Sequence, residues 1–377
     1  MLRVVTFRSP TGVFAVQRVT IREVAALAGV AVSTVSAVLN DTGDAKVASA
    51  TRARVLEAVR VLGYEPHHAA RALRGKSAGC LALIDDEVST GPYGGQMLAG
   101  VQDVCGDLGI PVVSLSTHGD AERERDAVRY ARSLGARAIV LASVSETVRP
   151  VPRPGTVVLL NGRAPADDVP GVVPDNEAGA TGVVGELLDQ GHRRIGVVTI
   201  ASCEPADRRL AATRRALAAA GAAPPPDELV VRMALVEATA GGGREGARRL
   251  LALAHPPTAI LCFNDRMAMG VYQAVVEWGG RVPHDVSVVG YDNVEPVADS
   301  LDPGLTTVAL PEREMGQLAA VLALDGTGLE AGRAEVSYAA EQLTWTGSTA
   351  RIRCPLVLRG SVAPPRPAPS RQRAADR

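Results

Sequence analysis

The strongest constraint on this chain is a rhythm that begins at Cys80 and runs to about Gly360. Apolar β-type runs (CLALI, VVSL, AIVLAS, TVVLL, IGVVTI, LVV, AILCF, VSVVGY) alternate with helical stretches of ten or more residues. Short runs that are apolar throughout are strands buried on both faces, which is the mark of a parallel sheet. Strand–helix–strand repetition builds such sheets through right-handed crossovers. About nine strands are too many for one small lobe, so two Rossmann-like lobes are expected. The expected hinge lies around Pro174 to Asn176, with a second crossing near Thr306 to Pro311.

Ahead of this body, Val19 to Tyr64 carries no strand pattern. Thr20 followed by Glu23 is a capping box that starts a helix at Ile21. Val24, Ala25, Leu27 and Ala28 are the expected buried face, and Gly29 supplies the turn. A second helix follows in AGVAVSTVSAVLN, with Val35, Val38 and Leu39 as its apolar stripe and Ser33, Thr34 and Ser36 as hydroxyls elsewhere. A third runs from about Ser49 to Leu62, with Val55, Leu56, Val59 and Leu62 inward, stopped by Gly63 and Pro66. Two short helices around a glycine turn, backed by a third, match a helix-turn-helix. In that motif the second helix enters the DNA major groove, where hydroxyls meet phosphates and helix-start residues meet base edges. A generic three-helix bundle is the alternative reading.

At 377 residues, two or three domains are expected. The net charge of −1 gives no global basic field, but Val19 to Lys76 holds eight Lys/Arg against five Asp/Glu. Five scattered cysteines lack metal or redox spacing and read as reduced, buried thiols of a cytoplasmic protein. No apolar run approaches the ~18 residues of a membrane span. Residues 1–18 lack the apolar core of a signal peptide and read as a disordered extension. The Pro/Arg-rich end, 361–377, reads as a disordered tail. LTWTGSTA and LVLRGSVA look like a local duplication of one strand.

The segments VTIREVAALAGVAVSTVSAVLN, TRARVLEAVRVLGYEP and AARALRGK resemble the lactose-repressor (LacI/GalR) family of transcription regulators. GHRRIGVVT, PPTAILCFNDRMAMG and VSVVGYDN extend the resemblance over roughly Val19 to Pro364. It implies an all-α helix-turn-helix domain (19–64), a hinge helix (65–77) and an α/β two-lobed, periplasmic-binding-protein-like domain (78–360). The first lobe is expected over about 78–174 and 308–327, the second over about 175–307 and 328–360. The resemblance also implies a homodimer on a pseudo-palindromic operator, with no cofactor, in the nucleoid-associated cytoplasm.

By the same resemblance Thr34, Ser36 and Asn40 contact phosphate, while Val32, Ser33 and Ala37 read bases. Ala37 stands where the family usually has an arginine that forks onto guanine, a contact worth ~1–3 kcal/mol of discrimination. Ala31 and Ala48 replace the usual serine caps, and Ser49 is a candidate substitute for the third helix. Leu73 matches the leucine that wedges between base steps in the minor groove. His67 stands where an asparagine is usual, and Thr20, Lys46 and Ala70 complete the DNA-contacting set.

Strand ends that face a cleft between lobes suit a small ligand, and no catalytic motif accompanies them. GGGREG is a weak phosphate-loop look-alike that reads better as a helix start. The resemblance implies a sugar- or nucleoside-like effector held by Arg209, as a fork onto ligand oxygens, and Asp292, as a hydroxyl acceptor. Asn264 and Asp265 lie at a strand end, and Asp265 is alternatively a helix cap. Phe263, Tyr291 and Tyr93 are candidate apolar walls. Ala238 replaces a stacking aromatic of sugar-binding members, and Gly91, Gly94 and Gly95 depart from their NPFF pattern. Two alternatives remain: control by a protein partner, and a transporter's solute-binding protein.

Overall fold

The computed structural model describes residues 19–39, 47–64, 79–88, 94–151, 156–166, 168–201, 203–223, 226–233, 237–325 and 342–366. The chain divides into two compact units, Met1–Ala78 and Gly79–Arg377.

The first unit holds α1 (Ile21–Ala28), α2 (Val32–Leu39) and α3 (Ser49–Leu62). The capping box is formed: the Thr20 hydroxyl accepts from Glu23 N, and Glu23 Oε2 accepts from Thr20 N at 2.6 Å. These bonds draw the Glu23 carboxyl below its usual range, backbone donation from Thr20 first. Gly29 ends α1 with φ of 64°, a left-handed conformation that leaves the Val30 N–H to bond Ala25 O. Val24, Ala25, Ala28, Val35, Val38, Val55 and Ala58 form the core. Leu27 and Leu56 are corrections to the expected core, being 55% and 49% exposed. Inward space in so small a bundle goes to valine and alanine. Ser49 does not hold the N-cap position of α3; it is the first helical residue, and Ala48 at the N-cap makes no side-chain cap bond.

The second unit carries two sheets. The first has strand order β11-β12-β5-β4-β3-β1-β2, built from β1 (Cys80–Asp85), β2 (Val112–Ser116), β3 (Ala136–Val148), β4 (Val157–Arg163), β5 (Gly171–Asp175), β11 (Leu343–Thr346) and β12 (Thr349–Arg353). The second has order β13-β10-β9-β8-β6-β7, built from β6 (Ile195–Ile200), β7 (Val230–Met233), β8 (Ala259–Cys262), β9 (Ser287–Asp292), β10 (Thr306–Ala309) and β13 (Leu356–Val357). Among the described residues every strand pair is parallel except β11–β12 and β10–β13.

The all-apolar runs are explained by cover on both faces. Along β1, Leu81 and Leu83 face α4 (Gly95–Asp107) and α11 (Glu312–Leu324), whereas Ala82 and Ile84 face α5 (Ala121–Ser133). In the second sheet, Val198 and Ile200 face α8 (Ala240–Leu251) and α9 (Asp265–Glu277). Ile195 and Val197 face α6 (Asn176–Asp189) and α7 (Glu204–Ala219). The short α10 (Glu295–Ala298) follows β9. No single described helix is long and apolar enough to cross a membrane.

GGGREG lies in α8 and serves packing. A Cβ on Gly243 would stand 2.0 Å from Met267 O, and one on Gly270 would stand 1.8 Å from Ala240 O. The two helices therefore touch backbone to backbone. Gly270→Ala must push them apart and is expected to cost at least ~1–3 kcal/mol, the usual penalty of overpacking. Urea unfolding of the full chain measures it, and an unchanged midpoint would contradict the contact.

Two further expectations are corrected. Residues 343–353 belong to the first sheet, where β12 pairs β5, so LTWTGSTA and LVLRGSVA serve different lobes. The chain changes lobe after Asp175, again between Ala309 and Glu312, and a third time between Arg353 and Leu356. The segment from 361 to 366 is also ordered against the second sheet. Ser361 is fully buried, donates to Val288 O at 2.6 Å and accepts from Thr306 N at 2.8 Å. Ala363 O lies 3.0 Å from Nε2 of His192, a buried imidazole whose pKa burial lowers. Polar groups at strand starts satisfy this segment's backbone, which its Pro/Arg composition does not reveal.

Candidate DNA-reading helix and effector cleft

In the first unit, α2 turns Val35 and Val38 inward. At about 100° per residue this leaves Val32, Ser33, Ser36 and Ala37 on the outward side. Val32 is 41% exposed, Ser33 is exposed, and Thr34, Ser36 and Ala37 are half-buried. The base-reading and phosphate-contacting candidates that are described thus lie on one accessible helix. Thr20 caps α1 and its hydroxyl also donates to Glu23 Oε2 at 2.8 Å, which makes it a structural residue. Asn40, Lys46, His67, Ala70, Leu73 and Tyr93 lie outside the described residues.

In the second unit, the C-terminal ends of strands from both sheets converge on a cavity of about 210 Å³. The first lobe contributes Val144, Ser145 and Glu146 from β3, Asn161 from β4 and Glu312 from α11. The second contributes Asn176, Arg209, Phe263, Asn264, Arg266 and Asp292.

Arg209 projects from α7 and is already held. Its Nε donates to Asn176 Oδ1 and its NH1 to Phe263 O, both at 2.8 Å. Its guanidinium carbon sits 3.4 Å over the Tyr291 ring centroid and 5.1 Å from that of Phe263. Tyr291 is therefore the buried floor beneath Arg209 and does not line the cleft. Asn176 passes the chain of bonds on, its Nδ2 donating to Glu146 Oε2 at 3.3 Å across the lobes.

Asp292 ends β9 with φ of 108°, a strained conformation for a non-glycine residue. Burial pushes its carboxyl well above the usual carboxylate range, and Arg209 opposes the shift. Burial also pushes Glu312 up to about 8, so it is mostly protonated at neutral pH. Asp265 is a correction. It is fully buried outside the cleft lining and accepts from Thr307 Oγ1 at 2.6 Å and Val294 N at 2.8 Å. The cap of α9 is Asn264, whose side chain accepts from Met267 N at 2.8 Å, so its oxygen is used even though it lines the cleft.

The first-lobe wall was not legible in the sequence. Asn161 has φ of 56°, and its Nδ2 donates to Ser143 O and Val144 O, both at 3.0 Å. These two bonds fix the amide so that Oδ1 is the atom left over, and it has no hydrogen-bond partner among the described residues. Glu146 is 5% exposed, and its Oε1 also lacks a hydrogen-bond partner among the described residues. Arg163 Nε and Arg208 Nε stand 3.8 Å from that oxygen without bonding it, and burial raises the carboxyl's pKa despite them. Behind it, Arg163 NH2 bridges the lobes to Glu204 Oε1 at 2.7 Å. Buried acceptors without donors are costly and uncommon. No cluster of three or more metal-ligating side chains occurs among the described residues.

A helix-turn-helix unit joined to a two-lobed body with a polar cleft is the build of a ligand-responsive DNA-binding regulator. The chain belongs to the lacI family of bacterial regulatory proteins, whose model matches residues 20–67, while a periplasmic binding protein-like domain matches 184–349. It is 33% identical over 309 residues to the ribose operon repressor of Escherichia coli, covering 80% of this chain and 90% of that one. It is 30% identical over 309 residues to the transcriptional repressor PurR of Photobacterium profundum, covering 80% and 89%. Its fold matches the lac repressor dimer bound to operator and the anti-inducer ONPF, with a TM-score of 0.73 and 25% identity over 92% of this chain and 100% of that one. The chain is a DNA-binding transcriptional repressor and not an enzyme.

Proposed function

We propose that this repressor binds a pseudo-palindromic operator as a homodimer, within the nucleoid, and that a small neutral polyol, sugar- or nucleoside-like, sets its DNA affinity from the cleft. The observation that carries this reading is a pair of buried acceptors without partners among the described residues, Glu146 Oε1 and Asn161 Oδ1, on first-lobe side chains that line the same cleft as Arg209 and Asp292 of the second lobe. Two hydroxyls donating to that pair would satisfy both atoms. An ammonium group is less suitable, because burial raises the Glu146 pKa even with Arg208 and Arg163 beside it and so disfavours the carboxylate charge an ammonium would need. A ligand touching both walls favours one lobe arrangement over another, and only such a preference can shift the equilibrium. The Arg163–Glu204 bridge joins the same two lobes, so ligand and bridge act on one motion.

A concave cleft lined by polar side chains from both lobes favours a metabolite over a protein partner. The helix-turn-helix unit sets the chain apart from a transporter's solute-binding protein. Thermal-shift screening of sugars and nucleosides, followed by operator titration with each hit, tests the proposal. At least one polyol is expected to raise the melting temperature and change operator affinity, and Asn161→Ala is expected to lose both effects. A panel that shifts nothing, while a protein partner changes operator binding, would reject it.

A further inference from the structure

The face that α2 presents is unusual in what it lacks. None of its eight residues, VSTVSAVL, is charged or carries an amide. Bidentate base recognition needs those groups, arginine or lysine on guanine and asparagine or glutamine on adenine. Ser33 and Ser36 are left with hydroxyls, which both donate and accept and so separate bases weakly. The remaining outward groups are the Val32 isopropyl, 41% exposed in the first turn, and the Ala37 methyl one turn on. The first turn of a recognition helix is the part that meets base edges. An exposed branched residue there gains only by covering an apolar group, and the major groove's apolar group is the thymine C5-methyl.

We propose that Val32 and Ala37 read thymine C5-methyl groups, so that T·A pairs rather than a guanine contact specify the operator under α2. This rests on α2 being the helix that enters the groove, and it adds the chemistry of what is read there. The hydroxyls then serve orientation while the methyl contacts discriminate. Covering one methyl is worth about fourfold in affinity (~0.8 kcal/mol).

The test uses the full-length protein and a half-site obtained by selection from random duplexes at fixed salt. Each selected thymine is then replaced singly by uracil, which removes the methyl and keeps every hydrogen-bonding group. The expected result is a loss of about fourfold at the thymines facing Val32 and Ala37. Val32→Ser should abolish the uracil penalty at its own position and leave the other in place. A further arm replaces the pair by G·C and then by G·5-methylcytosine, and the methyl should recover part of the loss. Specific binding that ignores uracil everywhere, or a half-site fixed by G·C under α2, overturns the proposal and leaves the DNA-binding assignment standing. A selection with no preferred sequence overturns the placement of α2 in the groove and this proposal with it.

Discussion

Arg209→Ala is expected to abolish the response of operator binding to the effector. The guanidinium holds the second-lobe wall together: it ties Asn176 to Phe263 O and sits over the Tyr291 ring. Hydrogen bonds from a charged donor are worth ~1.5–3 kcal/mol, and a desolvated cation–π contact adds up to ~2 kcal/mol. Truncation should therefore lower stability by about 2–4 kcal/mol as well as empty the site. The consequence reaches across the cleft, because Asn176, released from Arg209, also holds Glu146. If the effector is an inducer, ligand-free operator affinity stays near wild type and the ligand no longer changes it. If it is a corepressor, operator binding is lost at every ligand concentration. Operator titration with and without ligand measures both cases, and thermal unfolding shows that the variant is folded. A normal response at normal ligand concentration would place the effector elsewhere.

What could be read from the sequence was local. The Thr20–Glu23 box, the left-handed turn at Gly29 and the eight apolar runs each depend on residues within one turn or one strand. Errors arose where burial is decided at long range. Leu27 and Leu56 have helical spacing for a core, yet the small first unit fills its centre with Val24, Val35 and Val55. The β11–β12 hairpin follows the second lobe's strands in order but pairs with β5, and a strand's apolar pattern does not name its partner.

The cleft divides in the same way. Phe263 and Asp292 stand inside motifs, Arg209 follows from the family resemblance, and the structure brings the three together. Asp265 stands in the same motif but is consumed by Thr307, in a space that Gly290 leaves open: a Cβ there would come within 2.2 Å of Asp265 Oδ1. Glu146, Asn161 and Glu312 belong to no motif and meet only through the fold. The faint signal available was an asparagine ending the apolar run TVVLLN, since a polar residue at a strand's C-terminal end points toward the mouth of such a sheet.

Glu312→Gln is expected to stabilise the protein, increasingly so between about pH 4.5 and pH 8. Burial pushes this carboxyl from 4.5 to about 8. Between those values the unfolded chain has lost the proton and the folded protein keeps it. The unfolded state then binds fewer protons, so unfolding free energy falls as pH rises through that window and levels off above it. Each pH unit of the window is worth at most ~1.36 kcal/mol, and water reaching the cleft reduces it, which leaves a few kcal/mol at pH 8. Glutamine has no such term. Only where the folded glutamate ionises, at the top of the window and above it, does glutamine give up the attraction between a carboxylate and the first turn of α11, ~0.3–1 kcal/mol, which is too small to reverse the sign. Urea unfolding of both proteins from pH 4 to 9 should show curves that start together and separate. A difference independent of pH would mean that Glu312 is ionised in the folded state. The cost is tolerable only if the group has a use in the cleft. A carboxyl that is neutral at pH 7 donates a hydrogen bond and adds no charge beside Asp292. Effector affinity of the wild type should accordingly fall between pH 7 and 9, as that donor is lost and Glu312 ionises next to a second carboxyl. The glutamine variant, which keeps a donor, should show a flatter profile over the same range.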